Sequence, residues 1–430
     1  MSEAPSIENS RTLSSYASLI VRNRNFRLLW TGQIISLLGD WFNLVATTTL
    51  TYKLTGSAEG IGYLFVVRAL APFLISPVAG VVADRYNRRR ILIGTDIIRA
   101  LIVFGFFLIQ DSSHIWILFV LLGLLHGTSG FFIPAYNAML PEIVEQKDLG
   151  TANALSSVTW SVMYSLGMAL GGLVAGLFGL HTSYTVDALS FILSAIIIYR
   201  ILYLPSEKDV ADGRTFSDGV RQHLDGLKYL AGKLDILNIS LSKAVIYLST
   251  MGGIPVVIVA ISEKIFSMGE GGAISTGIMF SVWGIGSGVG PIMARRFTGD
   301  NHELMRKLVA ASYVCIALGT ALAGFHSIFV LVLAGLFING FGIGVVWVFT
   351  TQLLMQLVPN EVRGRIFAAE FAFFTVGYAI CAAMTGWMTE NLGLQISGTL
   401  WILSSMVIVP FTVWILANKF FPHEKVVENK

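Results

Sequence analysis

Twelve separate stretches of mostly apolar residues run through the chain, each about twenty residues long and so able to cross roughly 30 Å of hydrocarbon as a helix. Open strands and loops would leave backbone groups unpaired in lipid, so helices are the only spanning elements such a pattern allows. The stretches fall near 28–52, 60–82, 91–110, 115–139, 153–179 and 183–204, then 236–261, 272–293, 306–324, 327–350, 366–389 and 395–418. Charged residues make up 13% of the chain, too few for a water-facing surface, where about 25% is usual. The fold class that follows is an all-α membrane protein of twelve transmembrane helices.

The distribution of positive charge fixes an orientation. Of the 29 Lys and Arg, only Lys53 and Lys264 fall on one side, and Arg68, Arg99 and Lys243 fall within spans; the rest share the side of both termini. That side is expected to be the cytoplasm. Basic residues placed this way report topology, so no nucleic acid is implied. Cys315 and Cys381 sit inside apolar runs and read as small buried hydrophobes, which leaves no disulfide or metal site to expect. Residues 1–25 are polar and basic, without the short apolar core of a cleaved leader, so the first helix is expected to stay in the membrane.

One long polar stretch divides the chain. The expected organisation is a cytoplasmic segment 1–27, a six-helix bundle 28–204, a cytoplasmic linker 205–235, a second six-helix bundle 236–418 and a tail 419–430. Within the linker Val220, Leu224, Leu227 and Leu234 recur at helical spacing among charges, which suits either an interfacial helix or a solvated one. The halves echo each other: Leu140-Pro141-Glu142 and Ala152 are answered by Val358-Pro359-Asn360 and Ala368 at a near-constant offset. Paired six-helix repeats are a transporter feature, with substrate held near the midplane between them.

Between the second and third spans the chain reads Gly80-Val81-Val82-Ala83-Asp84-Arg85-Tyr86-Asn87-Arg88-Arg89-Arg90. This resembles the signature loop of the major facilitator superfamily, G-x-x-x-D-R-x-x-R-R, and the resemblance covers essentially the whole chain. It is nearest to the bacterial branch of macrolide and siderophore exporters, through Gln33 to Trp41, Pro134-Ala135, Ala152-Asn153-Ala154-Leu155 and Arg363-Gly364-Arg365. The resemblance implies a monomer in the bacterial inner membrane that binds a small molecule and protons, without a cofactor. It also implies a cytoplasmic gate, in which Gly80 permits close helix approach and Asp84 accepts hydrogen bonds from the positive end of the eleventh helix. Arg85, Arg88 and Arg89 complete that cluster. The plainer reading is that these arginines only enforce topology.

Ionisable groups inside a membrane are expensive and are functional candidates by default. Asp40 lies roughly 18 Å from the cytoplasmic side and Arg68 about 12 Å from the outer one, counting 1.5 Å per residue. The two therefore share a depth on adjacent antiparallel helices, and a salt bridge between them is expected. Burial disfavours a charged carboxylate and a nearby cation favours it, so Asp40 suits a coupling proton, a cationic substrate or a permanent structural pair. Asp96 and Arg99, three apart on one helix face, are assigned to the gate, with Glu370 facing them. Lys243 can snorkel to the surface, and Asp187 is placed at the outer boundary.

In the fifth span Gly167-Met168-Ala169-Leu170-Gly171-Gly172 stands where exporters of the superfamily often carry Gly-Pro-x-x-Gly-Gly. Methionine thus replaces proline, while the closing glycines still permit tight packing. His126, in the fourth span, is given no role. Asn43, Thr47, Asn137, Tyr164, Asn339 and Trp347 are the candidate pocket residues. No H-E-x-x-H, G-x-S-x-G or phosphate loop occurs, which argues against an embedded enzyme or an ATP-driven pump. The leading expectation is a proton-coupled exporter of amphipathic molecules; uptake of a metabolite, or a receptor on the same fold, are its rivals.

Overall fold

Helices and the turns that join them account for the described residues of the computed structural model, which are 16–203, 228–299 and 301–421. Twelve long helices follow in order: α1 (Arg24–Thr55), α2 (Ala58–Arg85), α3 (Arg88–Gly105), α4 (Ile115–Ile143), α5 (Leu149–Phe178) and α6 (Leu180–Tyr199). The second set is α7 (Leu234–Lys264), α8 (Ala273–Thr298), α9 (His302–Ala323), α10 (Phe329–Leu357), α11 (Asn360–Asn391) and α12 (Ile396–Phe420). Val220, Leu224 and Leu227 of the expected linker helix lie outside the described residues. Side-chain caps start several helices: Asn23, Ser57, Asn87 and Asn301 each accept an otherwise orphaned backbone N–H, as short polar residues at this position do. A π-turn over Tyr247–Met251 interrupts α7.

Eleven of the helices are long and apolar enough to cross a membrane by composition. The twelfth, α1, is not among them, because Gln33, Ser36, Asp40, Asn43 and a run of threonines dilute it. Its polar residues are sheltered by protein: every residue from Trp41 to Thr49 is buried, as backbone and side chains at membrane depth require when they are polar.

Helices α1–α6 pack as one bundle, with α1 against α5 and α6 and α2 against α4. In the second bundle α10 packs against α8 and α9, and α7 against α11. The bundles meet along two seams, α2 with α11 and α5 with α8. Small residues allow the backbones to touch there. A Cβ on Gly62 would lie 2.7 Å from the Ala382 carbonyl oxygen, and one on Gly172 would lie 2.8 Å from the Gly277 Cα.

Both contacts sit in the half of the membrane away from the start of α1 and the end of α12. We call that side the far face and the other the terminal face. Polar ties close the far face further: Lys53 pairs with Glu270 at 3.2 Å, and Glu390 Oε1 accepts from the Ala58 backbone N–H at 2.8 Å and from Lys264 Nζ at 3.2 Å. Towards the terminal face the seam loosens, and α2 has no buried residue between Phe65 and Ala79. The structure is closed at one face and opens at the other.

Candidate functional site

A cavity of ≈ 360 Å³ runs from the terminal face to mid-membrane depth, lined by α1, α3, α4 and α5. Hydroxyl and amide groups from Gln33, Ser36, Ser129, Tyr136, Asn137, Asn153, Ser156 and Ser157 are set into a mainly apolar wall that includes Leu37, Phe132, Ile133 and Trp160. The Tyr136 hydroxyl donates to Gln33 Oε1 at 2.7 Å and lies 3.0 Å from Ser156 Oγ, which fixes three helices around the opening.

Asp40 stands at the inner end of this cavity with its side chain 23% exposed. The expected pair with Arg68 is not formed; Arg99 Nη1 approaches Asp40 instead, at 3.7 Å. Arg99 is turned inwards by Phe132 and Phe191, whose ring centroids lie 4.7 and 4.2 Å from the guanidinium carbon, and its closest carboxylate is Asp96. In this structure Asp96 is buried in the first bundle and Arg99 lies at the cavity wall. Asp40 keeps most of its hydrogen-bonding capacity: among the described residues nothing donates to it.

Arg68 lies one step further towards the far face. Its Nη1 is 3.1 Å from His126 Nε2, and its guanidinium sits 5.8 Å from the Trp41 ring. Trp41, Trp160 and Tyr164 pack edge-on or stacked at 4.8 to 5.8 Å, and Tyr164 reaches Trp283 of the second bundle at 6.0 Å. His126 thus holds a position that reading the sequence did not give it.

Among the candidate pocket residues Asn137 lines the cavity and Tyr164 joins the aromatic wall. Asn43 and Thr47 do not line it. Asn43 Nδ2 donates to Asp187 Oδ2 at 2.8 Å, and Thr47 Oγ1 donates to Asn43 Oδ1 at 2.8 Å; both are buried between α1 and α6. Asp187 is fully buried there rather than at a boundary, since α6 begins at Leu180 and not at 183. Asn339 accepts from Trp283 Nε1 at 2.9 Å and donates to Thr320 at 2.8 Å, a packing role.

Glu370 does not face Asp96 and Arg99. It pairs with Lys243 at 2.9 Å inside the second bundle, where Lys243 also donates to Thr351 Oγ1 at 2.7 Å and lies 4.4 Å from the Trp347 ring centroid. Lys243 does not snorkel, because these partners hold it in the core. The signature loop likewise works within its own half: Arg88 bonds Glu142, and Arg89 bonds the Tyr199 carbonyl. No bond joins Asp84 to the start of α11 among the described residues, and a Cβ on Gly80 or Gly364 would meet nothing within 4 Å. The expected latch is unmade because the bundles have parted at this face.

Two six-helix bundles, the first holding a cavity that reaches mid-membrane depth, define a secondary transporter of the major facilitator type. The chain belongs to the transmembrane secretion effector family of that superfamily, whose profile matches residues 13–425. It is 27% identical over 414 residues to the uncharacterized MFS-type transporter YfiS of Bacillus subtilis (strain 168), over 90% of this chain and 93% of that one. Similarity also extends to the putative bacilysin exporter BacE of the same organism, 25% identical over 94% of this chain and 95% of BacE. The macrolide efflux protein A of Streptococcus pyogenes is 22% identical over 89% and 94% of the two chains. Among solved structures, the inward-facing, occupied form of a bacterial homolog of the lysosomal transporter Spinster superposes with a TM-score of 0.72 at 14% identity, covering 93% and 97%. The relatives are transporters, not enzymes.

Proposed function

We propose that this protein is a proton-coupled exporter of amphipathic small molecules, working by alternating access in the bacterial cell membrane with its terminal face in the cytoplasm. The observation that carries this reading is Asp40: a carboxylate at mid-membrane depth that faces the open cavity and is only loosely held by Arg99. A proton or a cationic group would satisfy it, and the two would exclude each other there, which is the requirement for exchange. The hydroxyl and amide groups of the wall suit the polar side of a substrate and the Trp41, Trp160 and Tyr164 cluster its apolar body. The names of BacE and macrolide efflux protein A favour export over uptake. The positive-inside distribution supports the orientation, and Asp84, Gly80 and Arg85 would engage α11 once the terminal face closes.

The test is accumulation of macrolides, dyes and siderophores in cells lacking their own pumps. Wild type should lower accumulation, and Asp40→Asn or collapse of the proton gradient should abolish the effect. Raised accumulation in wild type would replace export by uptake.

A further inference from the structure

Asp40 at the inner end of the cavity and Arg68 on α2, behind the cavity lining, are opposite charges that do not pair with each other. Asp40 has only the 3.7 Å approach of Arg99, which is already committed to Asp96. Arg68, on the neighbouring antiparallel helix, has no carboxylate within 4.0 Å among the described residues, although Asp40 and Asp187 act on it through space. Its one hydrogen-bond partner there is His126. A guanidinium has five N–H groups and accepts nothing, so His126 Nε2 is the acceptor and its ring is neutral. One donor is used, and the residue is half-buried. An arginine at this depth without a counter-ion is expected to meet its counter-charge from outside the protein. Trp41 lies 5.8 Å from the Arg68 guanidinium and packs on Trp160, which lines the cavity with Asp40, so one aromatic cluster connects the two charges.

We propose that Asp40 and Arg68 are the two poles of a site for a zwitterionic amphiphile. Asp40 takes its ammonium group and Arg68 its acid group, and its apolar body lies on Trp41, Trp160 and Tyr164. This rests on the exporter reading and narrows its substrate class: the ammonium displaces the coupling proton at Asp40, while the acid group sets specificity through a planar, two-pronged donor suited to carboxylates and phosphates. His126 is a positioning residue for Arg68.

The test uses purified full-length protein and three fluorescent probes: Nε-dansyl-lysine, its methyl ester, which is a cation only, and its Nα-acetyl derivative, which is an anion only. Binding is read as energy transfer from tryptophan. Wild type should bind the zwitterion at least about tenfold more tightly than either derivative, a difference of about 1.4 kcal/mol. Arg68→Gln should erase the preference over the ester and Asp40→Asn the preference over the acetyl form, whereas Arg68→Lys should retain part of the first. Equal or tighter binding of the methyl ester by wild type, or no binding of the zwitterion, would overturn the proposal. A protein that shows the preference but moves nothing outward would instead sink the export reading and leave this site standing.

Discussion

Lys243 and Glu370 form an ion pair of 2.9 Å inside the second bundle, each with 3% of its side chain exposed. Removing one member of such a pair leaves the other charged and buried, which costs about 3–5 kcal/mol, while replacing both by apolar residues is often neutral. Glu370→Gln should therefore lower the unfolding temperature in detergent clearly. The double change Lys243→Met, Glu370→Leu should recover most of the loss. A double variant as unstable as the single one would mean that the pair has a role beyond mutual satisfaction.

Asp40→Asn should uncouple transport without emptying the cavity. In everted vesicles, efflux driven by a proton gradient is expected to fall at least about tenfold, since a neutral amide cannot exchange a proton. Exchange of labelled for unlabelled substrate, which needs no net proton movement, should survive once substrate is raised to saturate the variant's weakened site. Loss of both would assign Asp40 to folding or to substrate binding alone.

The far-face seam depends on glycine. Gly62→Leu would drive a side chain into the Ala382 carbonyl, so the state closed at that face should be depleted. On a background lacking Cys315 and Cys381, a cysteine at Ser156 reports the cavity. Its labelling by an impermeant maleimide from the terminal side should slow about tenfold, the effect of roughly 1.4 kcal/mol. Unchanged labelling would show that the seam gives way without cost.

The opposite change is expected for the signature loop. If Asp84 engages the start of α11 only when the terminal face closes, Asp84→Asn should favour the conformation described here and speed labelling at the same cysteine. Slower labelling would place Asp84 among the contacts of the open form.

A residue's depth was legible in the sequence, whereas its partner was not, because the partner depends on which way a helix face turns. Asp40, Arg68 and Arg99 stood out because each is an ionisable group in an apolar run. Their pairing did not follow: counting residues along the apolar runs gave Asp40 and Arg68 one depth, but Arg99 is the one that Phe132 and Phe191 press towards Asp40. Glu370 and Lys243 were both visible as charges, yet lie more than a hundred positions apart, and only the packing of α7 on α11 brings them together. His126 carried one signal, a polar ring amid Leu124, Leu125 and Gly127, too weak without knowing that Arg68 lay opposite. Asp187 was misplaced by a boundary error of three residues, about 4.5 Å along a helix.

The polarity of α1 has a consequence for how the protein is made. Of the twelve, this helix alone falls outside the set that is apolar enough by composition to cross a membrane, yet it leaves the ribosome before the other eleven. Its threonines, Asn43 and Asp40 find shelter only when α5 and α6 have arrived to cover them. Integration of α1 should thus wait on later segments: a fragment ending at Thr55 fused to a reporter should fail to span the membrane, while one reaching Tyr199 should span it. Stable integration of the short fragment would refute this order of assembly.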